Sequence, residues 1–287
     1  RTVLRRESGS NPADLVDYRE ITEALGGSYL DLTDGRNRIN VLEPRMWSAE
    51  DKEPDPEAPA AFQSGSLLSQ HIAFLRDFFR SYKPFTEAEI DTIEIMLGRL
   101  YDSRGLRDDT DYSRLSPRDY PILSDLYDQM DTEYQRVRTG SGGELYTPEL
   151  LRSACLGLHS MCKGADAKFF NGHTNIHDTR LITFGVKDLM EGGKNIKDAM
   201  LFNVLSYINH ALIAGGNTAG IFEELHVFLS NPVAVSYIRS AMKRVRKRDS
   251  LIGLASQNIE DFLLPGVAEM TKPLFSIPVH HFLFHPG

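Results

Sequence analysis

From residue 165 onward, short apolar runs alternate with helical patterns, and this alternation constrains the fold more than any other feature of the chain. The apolar runs lie at residues 181–186, 219–222 and 251–255, with two further strand candidates at 274–279 and 282–284. Long helical patterns separate the first three runs, at residues 196–213 and 231–246. Strands that alternate with helices pair in parallel and are covered by those helices. The sequence therefore predicts an α/β fold with a parallel sheet.

The middle of the chain, residues 67–165, has helical signals throughout. Thr86 and Glu89 have the spacing of a capping box, in which a hydroxyl and a carboxylate bind two amides of the first turn. Thr147 precedes a proline, a pair that is typical of a helix start. These patterns predict an all-α sub-domain that is inserted into the α/β core.

Acidic residues alternate with prolines in residues 48–66. Proline removes backbone donors and the carboxylates repel one another, so we expect an extended, solvated linker. This linker separates residues 1–47, an incomplete start of the α/β core, from the helical residues 67–165. The core then resumes over residues 166–287.

Two cysteines, Cys155 and Cys162, lie seven residues apart on the apolar face of a predicted helix. Two are too few for a disulfide framework, so we expect both to be small core residues in a reducing, cytoplasmic environment. The apolar stretches fall far short of the roughly 20 residues that a membrane span needs, so an integral membrane protein is not expected. The sequence begins with Arg1 and has no visible signal peptide, and we expect it to be a fragment.

The net charge of -8, from 32 Lys and Arg against 40 Asp and Glu, excludes nucleic-acid binding by the whole surface. Residues 243–248, the basic segment, reverse this balance with five cations in six positions. Three interpretations stay open: a solvated helix end that favours cations, an arginine finger from Arg244 or Arg246, or a nucleic-acid or partner contact. The contact residues would be Arg239, Lys243, Arg246, Lys247 and Arg248.

Polar side chains follow two of the predicted strands. Glu223 and Glu224 come directly after the strand at 219–222, and Gln257 follows the strand at 251–255. Chemistry gathers at the carboxyl ends of parallel strands. One acid can hold Mg²⁺, directly or through water, while the next polarises the attacking water and a glutamine senses a phosphate. The alternative is that the strands simply end in solvated polar residues.

Other familiar site patterns are weak or missing. His173 and His177 stand four apart with Asp178 adjacent, but the glycine and asparagine between them predict a loop rather than a metal site. The sequence contains no Gly-x-x-x-x-Gly-Lys-[Ser/Thr] phosphate loop. These residues alone are therefore expected to bind ATP poorly.

Several short segments, each present once, occur along the chain in an order that one known family shares. Along the chain these are Asp17-Tyr18, Glu23-Ala24-Leu25-Gly26-Gly27, Arg38-Ile39-Asn40-Val41, Phe169-Phe170-Asn171-Gly172-His173-Thr174-Asn175-Ile176, Arg180-Leu181-Ile182-Thr183-Phe184, Ile221-Phe222-Glu223-Glu224-Leu225-His226, Lys243-Arg244-Val245-Arg246-Lys247 and Ser256-Gln257-Asn258-Ile259-Glu260-Asp261. In this order they resemble the C-terminal ATPase domain of the conjugative type IV secretion motor ATPases. The resemblance runs from near residue 14 to the end and is strongest after residue 165.

The resemblance implies a RecA-like P-loop NTPase core, Mg-ATP hydrolysis, and a homo-oligomer, a hexamer or a smaller assembly. It also implies a cytoplasmic protein, peripheral at the membrane, that works with other secretion-machine subunits at the inner membrane and with DNA. Glu223 takes the place of the Walker B acid on Mg²⁺, Glu224 that of the general base, and Gln257 that of a sensor for the nucleotide. Arg244 or Arg246 falls in the basic motif that contacts a neighbouring subunit.

Two departures from the family pattern matter. The Walker B position is usually Asp, and Glu223 adds a methylene that could displace the metal. The first strand and the phosphate loop of the family are expected to lie outside this sequence, or the protein has lost catalysis. The leading hypothesis is an ATPase domain, and the alternatives are a non-hydrolysing structural or docking subunit and a DNA-contacting module that uses the basic segment.

Overall fold

A computed structural model of the chain describes residues 2–5, 18–47, 56–63, 65–141, 145–177, 179–186, 193–223, 225–229, 231–256, 260, 262, 268–278 and 280–282. Within these residues one five-stranded sheet forms from β1 (Thr2–Arg5), β2 (Ser28–Asp31), β3 (Ile182–Gly185), β4 (Ala219–Phe222) and β5 (Leu251–Leu254). The strand order is β2-β3-β1-β4-β5, and every neighbouring pair is parallel. The predicted α/β fold with a parallel sheet is confirmed. Although β1 at the start of the chain is the central strand of this sheet, no phosphate loop follows it, so the expectation that the family's first strand lies outside this sequence stays a prediction.

The α-helices of the described residues are α1 (Tyr18–Ala24), α2 (Leu67–Tyr82), α3 (Glu87–Ser103), α4 (Leu123–Arg138), α5 (Pro148–Cys162), α6 (Ala167–Phe170), α7 (Lys194–His210), α8 (His226–Leu229), α9 (Pro232–Val245) and α10 (Ala268–Ser276). A π-helical turn (Ala211–Gly215) extends α7, and a 3-10 turn (Arg246–Arg248) extends α9. Both long helices therefore follow the predicted ranges. No described helix combines the length and the apolar character needed to cross a membrane.

Helices cover both faces of the sheet. Thr183 and Phe184 are consecutive residues of β3, so their side chains point to opposite faces. The Thr183 hydroxyl is hydrogen-bonded to the hydroxyl of Thr22 on α1, with the two oxygens 2.6 Å apart. The Phe184 ring lies 5.8 Å from the ring of Tyr207 on α7. The sheet is thus enclosed between α1 on one side and α7 on the other.

Two glycines set the direction of α1. Gly26 has a φ of +72°, a left-handed conformation that ends a helix and that side chains disfavour. Gly27 lies so close to β3 that a Cβ atom on it would stand 2.6 Å from the carbonyl oxygen of Leu181. The chain then enters β2, where the amide of Ser28 donates to the same Leu181 oxygen at 2.8 Å. The last residue of α1 therefore lies at the amino edge of the sheet and its first residue at the carboxyl edge.

The described elements between residues 67 and 162 are all helical, as the sequence predicts. Glu89 donates its amide to the Thr86 hydroxyl and accepts the Thr86 amide at 2.7 Å, so the capping box is present. Thr147 caps α5 as expected. Cys155 and Cys162 are both buried on α5, and burial raises the pKa of their thiols to about 11 and about 12. Both cysteines are core residues, which confirms the prediction.

The described part of the acidic, proline-rich segment, residues 56–63 and 65–66, is not extended and solvated throughout as the sequence suggests. It contains a 3-10 turn (Ala60–Phe62) with Ala61 and Phe62 buried. The Phe62 ring packs edge-on against Trp47 at 5.4 Å and against Tyr237 of α9 at 5.3 Å. Burial of these apolar side chains outweighs the preference of the neighbouring acids and prolines for solvent.

Residues 38–47, which we call the strap, follow β2 and are buried along most of their length. At the start of the strap, the amide of Arg38 donates to Oδ1 of Asn175 at 2.7 Å. The amide of Asn40 donates to the Thr174 hydroxyl oxygen at 3.0 Å. Two of the segments that carry the family resemblance, 38–41 and 169–176, therefore bind each other directly.

Arg45 is the centre of the strap and is only 2% exposed. Its guanidinium donates to the backbone oxygen of Asn40 at 2.9 Å, to the hydroxyl of Ser206 at 3.2 Å and to Oδ1 of Asn203 at 3.4 Å. Glu43 lies 3.8 Å from the same guanidinium. Since Asn203 and Ser206 belong to α7, this buried cation fastens the strap to that helix.

Two histidines bind the strap as neutral acceptors. The amide of Arg45 donates to Nδ1 of His71 at 3.3 Å, and the amide of Met46 donates to Nδ1 of His210 at 2.9 Å. Burial and the nearby charge of Arg45 lower the pKa of His210 to about 4 and hold the pKa of His71 well below its usual value. Because His71 lies on α2 and His210 on α7, the strap links the inserted helices to the sheet.

The first of the two C-terminal strand candidates, residues 274–279, is not borne out. Residues 274–276 end α10 instead of starting a strand, although Pro273 lies inside this helix. Thr271 and Leu274 are buried and stand three residues apart, as on one face of a helix. A short apolar run in a sequence fits a buried helix segment as well as a strand, so periodicity alone could not decide between them. His280 and His281 are exposed and belong to no strand, and residues 283–284 lie outside the described residues.

Candidate functional site

Glu223 directly follows β4 at the carboxyl edge of the sheet. Beyond the end of β4, the amide of Ala255 donates to the Phe222 carbonyl at 2.8 Å and the amide of Leu225 donates to the Ala255 carbonyl at 3.0 Å. The residues on both sides of Glu223, Phe222 and Leu225, are therefore hydrogen-bonded to Ala255, the residue that follows β5. This pairing fixes the backbone from which the half-buried carboxylate projects.

Glu224 and Gln257, the other two polar residues that the sequence predicts at this edge, lie outside the described residues. Ser256, next to Gln257, is described and is the second residue after β5. Glu223 and Ser256 therefore lie just beyond the ends of two adjacent strands, β4 and β5. The proximity of Glu223 to Gln257 stays a prediction.

Tyr18 is a further residue of the candidate site, and the strand-end pattern that indicates Glu223 does not include it. It is the first residue of α1, and its hydroxyl donates to Oε1 of Glu223 at 2.7 Å although 205 positions separate the two residues. The signal was present in the sequence, because Tyr18 belongs to one of the segments that resemble the family. Its role could not be read from there, since only the folded chain brings α1 to the end of β4.

An arginine and a tyrosine lie at the same edge, on the α1 side of the sheet. Arg19 stacks its guanidinium 4.3 Å above the ring of Tyr29. Gly185, at the end of β3, makes room for this ring: a Cβ there would stand 2.2 Å from the Tyr29 hydroxyl oxygen. The absence of a side chain at Gly185 thus allows an aromatic ring to cover the end of its neighbouring strand.

The basic residues predicted to act as contacts or as an arginine finger fall into two groups, one bound within the chain and one exposed. Arg239 makes an ion pair with Glu57 at 3.0 Å, and Arg244 is buried, with its guanidinium 4.9 Å above the Phe62 ring and a hydrogen bond to the Ser240 carbonyl at 3.0 Å. The other predicted contact residues are exposed at the end of α9: Lys243, Arg246, Lys247 and Arg248. Of the two arginine-finger candidates, Arg246 is therefore the one that a neighbouring molecule can reach.

The donor set at the sheet edge fits Mg²⁺ bound together with a nucleotide. Such sites take most of their oxygens from water and phosphate and need only one or two carboxylates. Glu223 supplies one carboxylate, half-buried and at a strand end. Elsewhere in the part of the chain that the structure describes, no three His, Cys, Asp or Glu side chains gather into a metal site. His173 and His177 lie in a loop, as predicted, while Asp178 is outside the described residues.

One of three comparisons with known proteins finds a match. No family model and no curated protein matches the chain. Among solved structures, the chain is similar to VirB4 of Thermoanaerobacter pseudethanolicus, with a TM-score of 0.77 and 26% sequence identity. The similarity covers 96% of this chain and 67% of the VirB4 chain. The resemblance to the type IV secretion motor ATPases is confirmed.

Proposed function

We propose that this chain is the ATPase domain of a conjugative type IV secretion motor, with a RecA-like core that hydrolyses ATP to power assembly of the machine or transfer of its substrate. The observation that carries the proposal is the likeness to VirB4 over nearly the whole chain. The position of Glu223 supports it, because nucleoside triphosphatases bind their ligand at the carboxyl ends of parallel strands.

In this proposal the carboxylates of two consecutive residues have different roles, one at the metal and one at the attacking water. Glu223 would hold Mg²⁺ through water, and the metal would neutralise charge on the phosphates. Glu224 accepts a proton from the attacking water, while Gln257 contacts the terminal phosphate. The phosphate loop that would hold ATP has no counterpart in these 287 residues. These residues alone are therefore expected to bind ATP poorly.

The decisive measurement is ATP turnover by the natural full-length protein and its Glu224→Gln variant. Loss of the general base is expected to lower kcat by about 10²-fold or more, because the water is no longer deprotonated as it attacks. Binding of a fluorescent ATP analogue should be unchanged. Glu23→Gln is the matched control, since it removes an exposed carboxylate from α1 and is expected to leave kcat unchanged.

Unchanged turnover in Glu224→Gln would exclude the assigned role of Glu224. A full-length protein that shows no saturable ATP binding would instead favour the non-hydrolysing docking subunit. These two results separate an error in one residue from an error in the function.

The exposed end of α9 supports an additional contact. In an oligomer, Arg246 would reach the nucleotide of a neighbouring copy, and the exposed Lys243, Lys247 and Arg248 would bind a partner subunit or the phosphates of DNA. The proposal places the protein in the cytoplasm, peripheral at the inner membrane with other secretion-machine subunits. Sedimentation of the full-length protein with ATP tests whether it forms a hexamer or a smaller assembly.

A further inference from the structure

We propose that Tyr18 is a positioning residue for Glu223: its hydroxyl holds the carboxylate in the orientation that takes up a metal-bound water. The inference rests on the proposed function and adds a residue that neither the motif pattern nor the comparisons assign. Its starting observation is the 2.7 Å hydrogen bond from the Tyr18 hydroxyl to Oε1 of Glu223.

The hydrogen bond comes from a helix whose position is fixed at several points. The hydroxyls of Thr22 and Thr183 are hydrogen-bonded in a buried environment, with their oxygens 2.6 Å apart. Gly27 donates its amide to the Thr22 carbonyl at 2.8 Å and lies against β3. Since α1 is fixed at its centre and its end, Tyr18 projects from a defined place toward β4.

The need for such a residue follows from the length of the Glu223 side chain. Glutamate has one more rotatable bond than the aspartate usual at this position, so its carboxylate samples more orientations. A hydroxyl that donates to Oε1 selects one of them. It occupies one of about four lone-pair sites on the carboxylate, so this hydrogen bond is compatible with acceptance from a water on the metal. Tyr18 thus offsets the extra methylene of Glu223.

Binding of Mn²⁺, followed by electron paramagnetic resonance with a slowly hydrolysed ATP analogue, tests this inference without any turnover. Tyr18→Phe in the full-length protein is expected to raise the Mn²⁺ dissociation constant about tenfold, as is typical when a group that orients a ligand is lost. Tyr134→Phe, which removes a hydroxyl from α4, is the matched control and is expected to bind Mn²⁺ like the parent. Equal midpoints of thermal unfolding would establish that Tyr18→Phe folds normally.

A double-mutant cycle then separates positioning from a general effect on the site. Glu223→Asp shortens the side chain by a methylene and withdraws the acceptor from the Tyr18 hydroxyl. Adding Tyr18→Phe to Glu223→Asp is therefore expected to change Mn²⁺ affinity by less than about twofold, because the two substitutions remove the same contact. An equal loss in both backgrounds would overturn the inference.

The outcomes distinguish this inference from the proposed function. Parent-like Mn²⁺ binding by Tyr18→Phe, with binding lost in Glu223→Gln, overturns the role of Tyr18 and leaves the ATPase proposal intact. Absence of any Mn²⁺–nucleotide binding by the parent protein overturns both.

Discussion

Arg45 of the strap and Arg246 of the basic segment lie in opposite environments. In the strap, Arg45 is buried and donates to three acceptors from the strap and α7. In the basic segment, Arg246 is exposed at the end of α9, yet Arg244, two residues earlier, is buried above Phe62. A cluster of cations in sequence is therefore only partly a cluster on the surface, because the turn of the helix sends the Arg244 side chain to the buried face.

The difference has a physical cause. A buried cation is tolerated only where hydrogen bonds or an aromatic ring replace the water it loses, as at Arg45 and Arg244. An exposed cation keeps its water and can exchange it for an anionic partner. The strap should therefore govern stability and the basic segment should govern binding.

The largest expected effect is on folding. Arg45→Met removes the donor for three buried acceptors, so the free energy of unfolding is expected to fall by ~3–5 kcal/mol. Arg246→Met is the matched control on an exposed helix end, with an expected change within about 0.5 kcal/mol. Urea denaturation followed by circular dichroism measures both. Similar values for the two variants would remove the distinction between the regions.

The strap should also make stability depend on pH. His210 has a pKa of about 4 in the folded chain, against 6.5 for an ordinary histidine. As the pH falls from 6.5 to 4, the unfolded chain takes up this proton and the folded chain does not. The free energy of unfolding therefore decreases in that window, by up to about 1.4 kcal/mol per pH unit for each such group.

His210→Asn tests this pH dependence, because the amide oxygen can accept from Met46 without titrating. Its stability should decrease less steeply between pH 6.5 and 4 than that of the parent. His71 contributes to the remaining slope together with carboxylates such as Glu133, whose pKa hydrogen bonds from Arg136 lower to about 2. The exposed His159→Asn serves as control and should retain the parent slope. A His210→Asn curve parallel to the parent would contradict the assignment.

For the basic segment, the expected effect is on binding rather than folding. Lys243→Ala combined with Arg246→Ala should weaken DNA binding several-fold and lower the slope of log affinity against log salt by about 2. The control combines Arg107→Ala with Arg114→Ala, two exposed cations of the helical region. Fluorescence anisotropy with a short duplex measures the slope. No salt dependence in the parent would argue against a DNA contact and favour the arginine finger.

The smallest effect concerns Arg239, which stands between the two regions. Its pair with Glu57 is exposed on the carboxylate side, so Glu57→Gln should change the free energy of unfolding by less than about 1 kcal/mol. The same substitution frees the charge of Arg239 and should raise DNA affinity slightly. An unchanged affinity would assign Arg239 to the fold, and an increase would return it to the binding surface.

Three of the five strands could be predicted, because each is a short apolar run in the sequence. β3 shows an apolar run in the sequence, and β4 and β5 do so as well, whereas β2 alternates so that only Leu30 is fully buried. The candidate site was predictable only at Glu223, since its position after β4 is a local property. Tyr18 and the buried side of Arg244 depend on contacts with residues distant in the chain. No local pattern encodes such contacts.

The sequence by itself determined the α/β class, the capped helices between residues 67 and 162, and the order of segments that resembles the secretion motors. All of these depend on periodicity or on neighbouring residues. The tertiary structure alone decided which cations are buried, that residues 56–63 pack on α9, and that Tyr18 reaches Glu223. The reason is that burial and hydrogen bonding are free energies of groups that only the closed fold brings together.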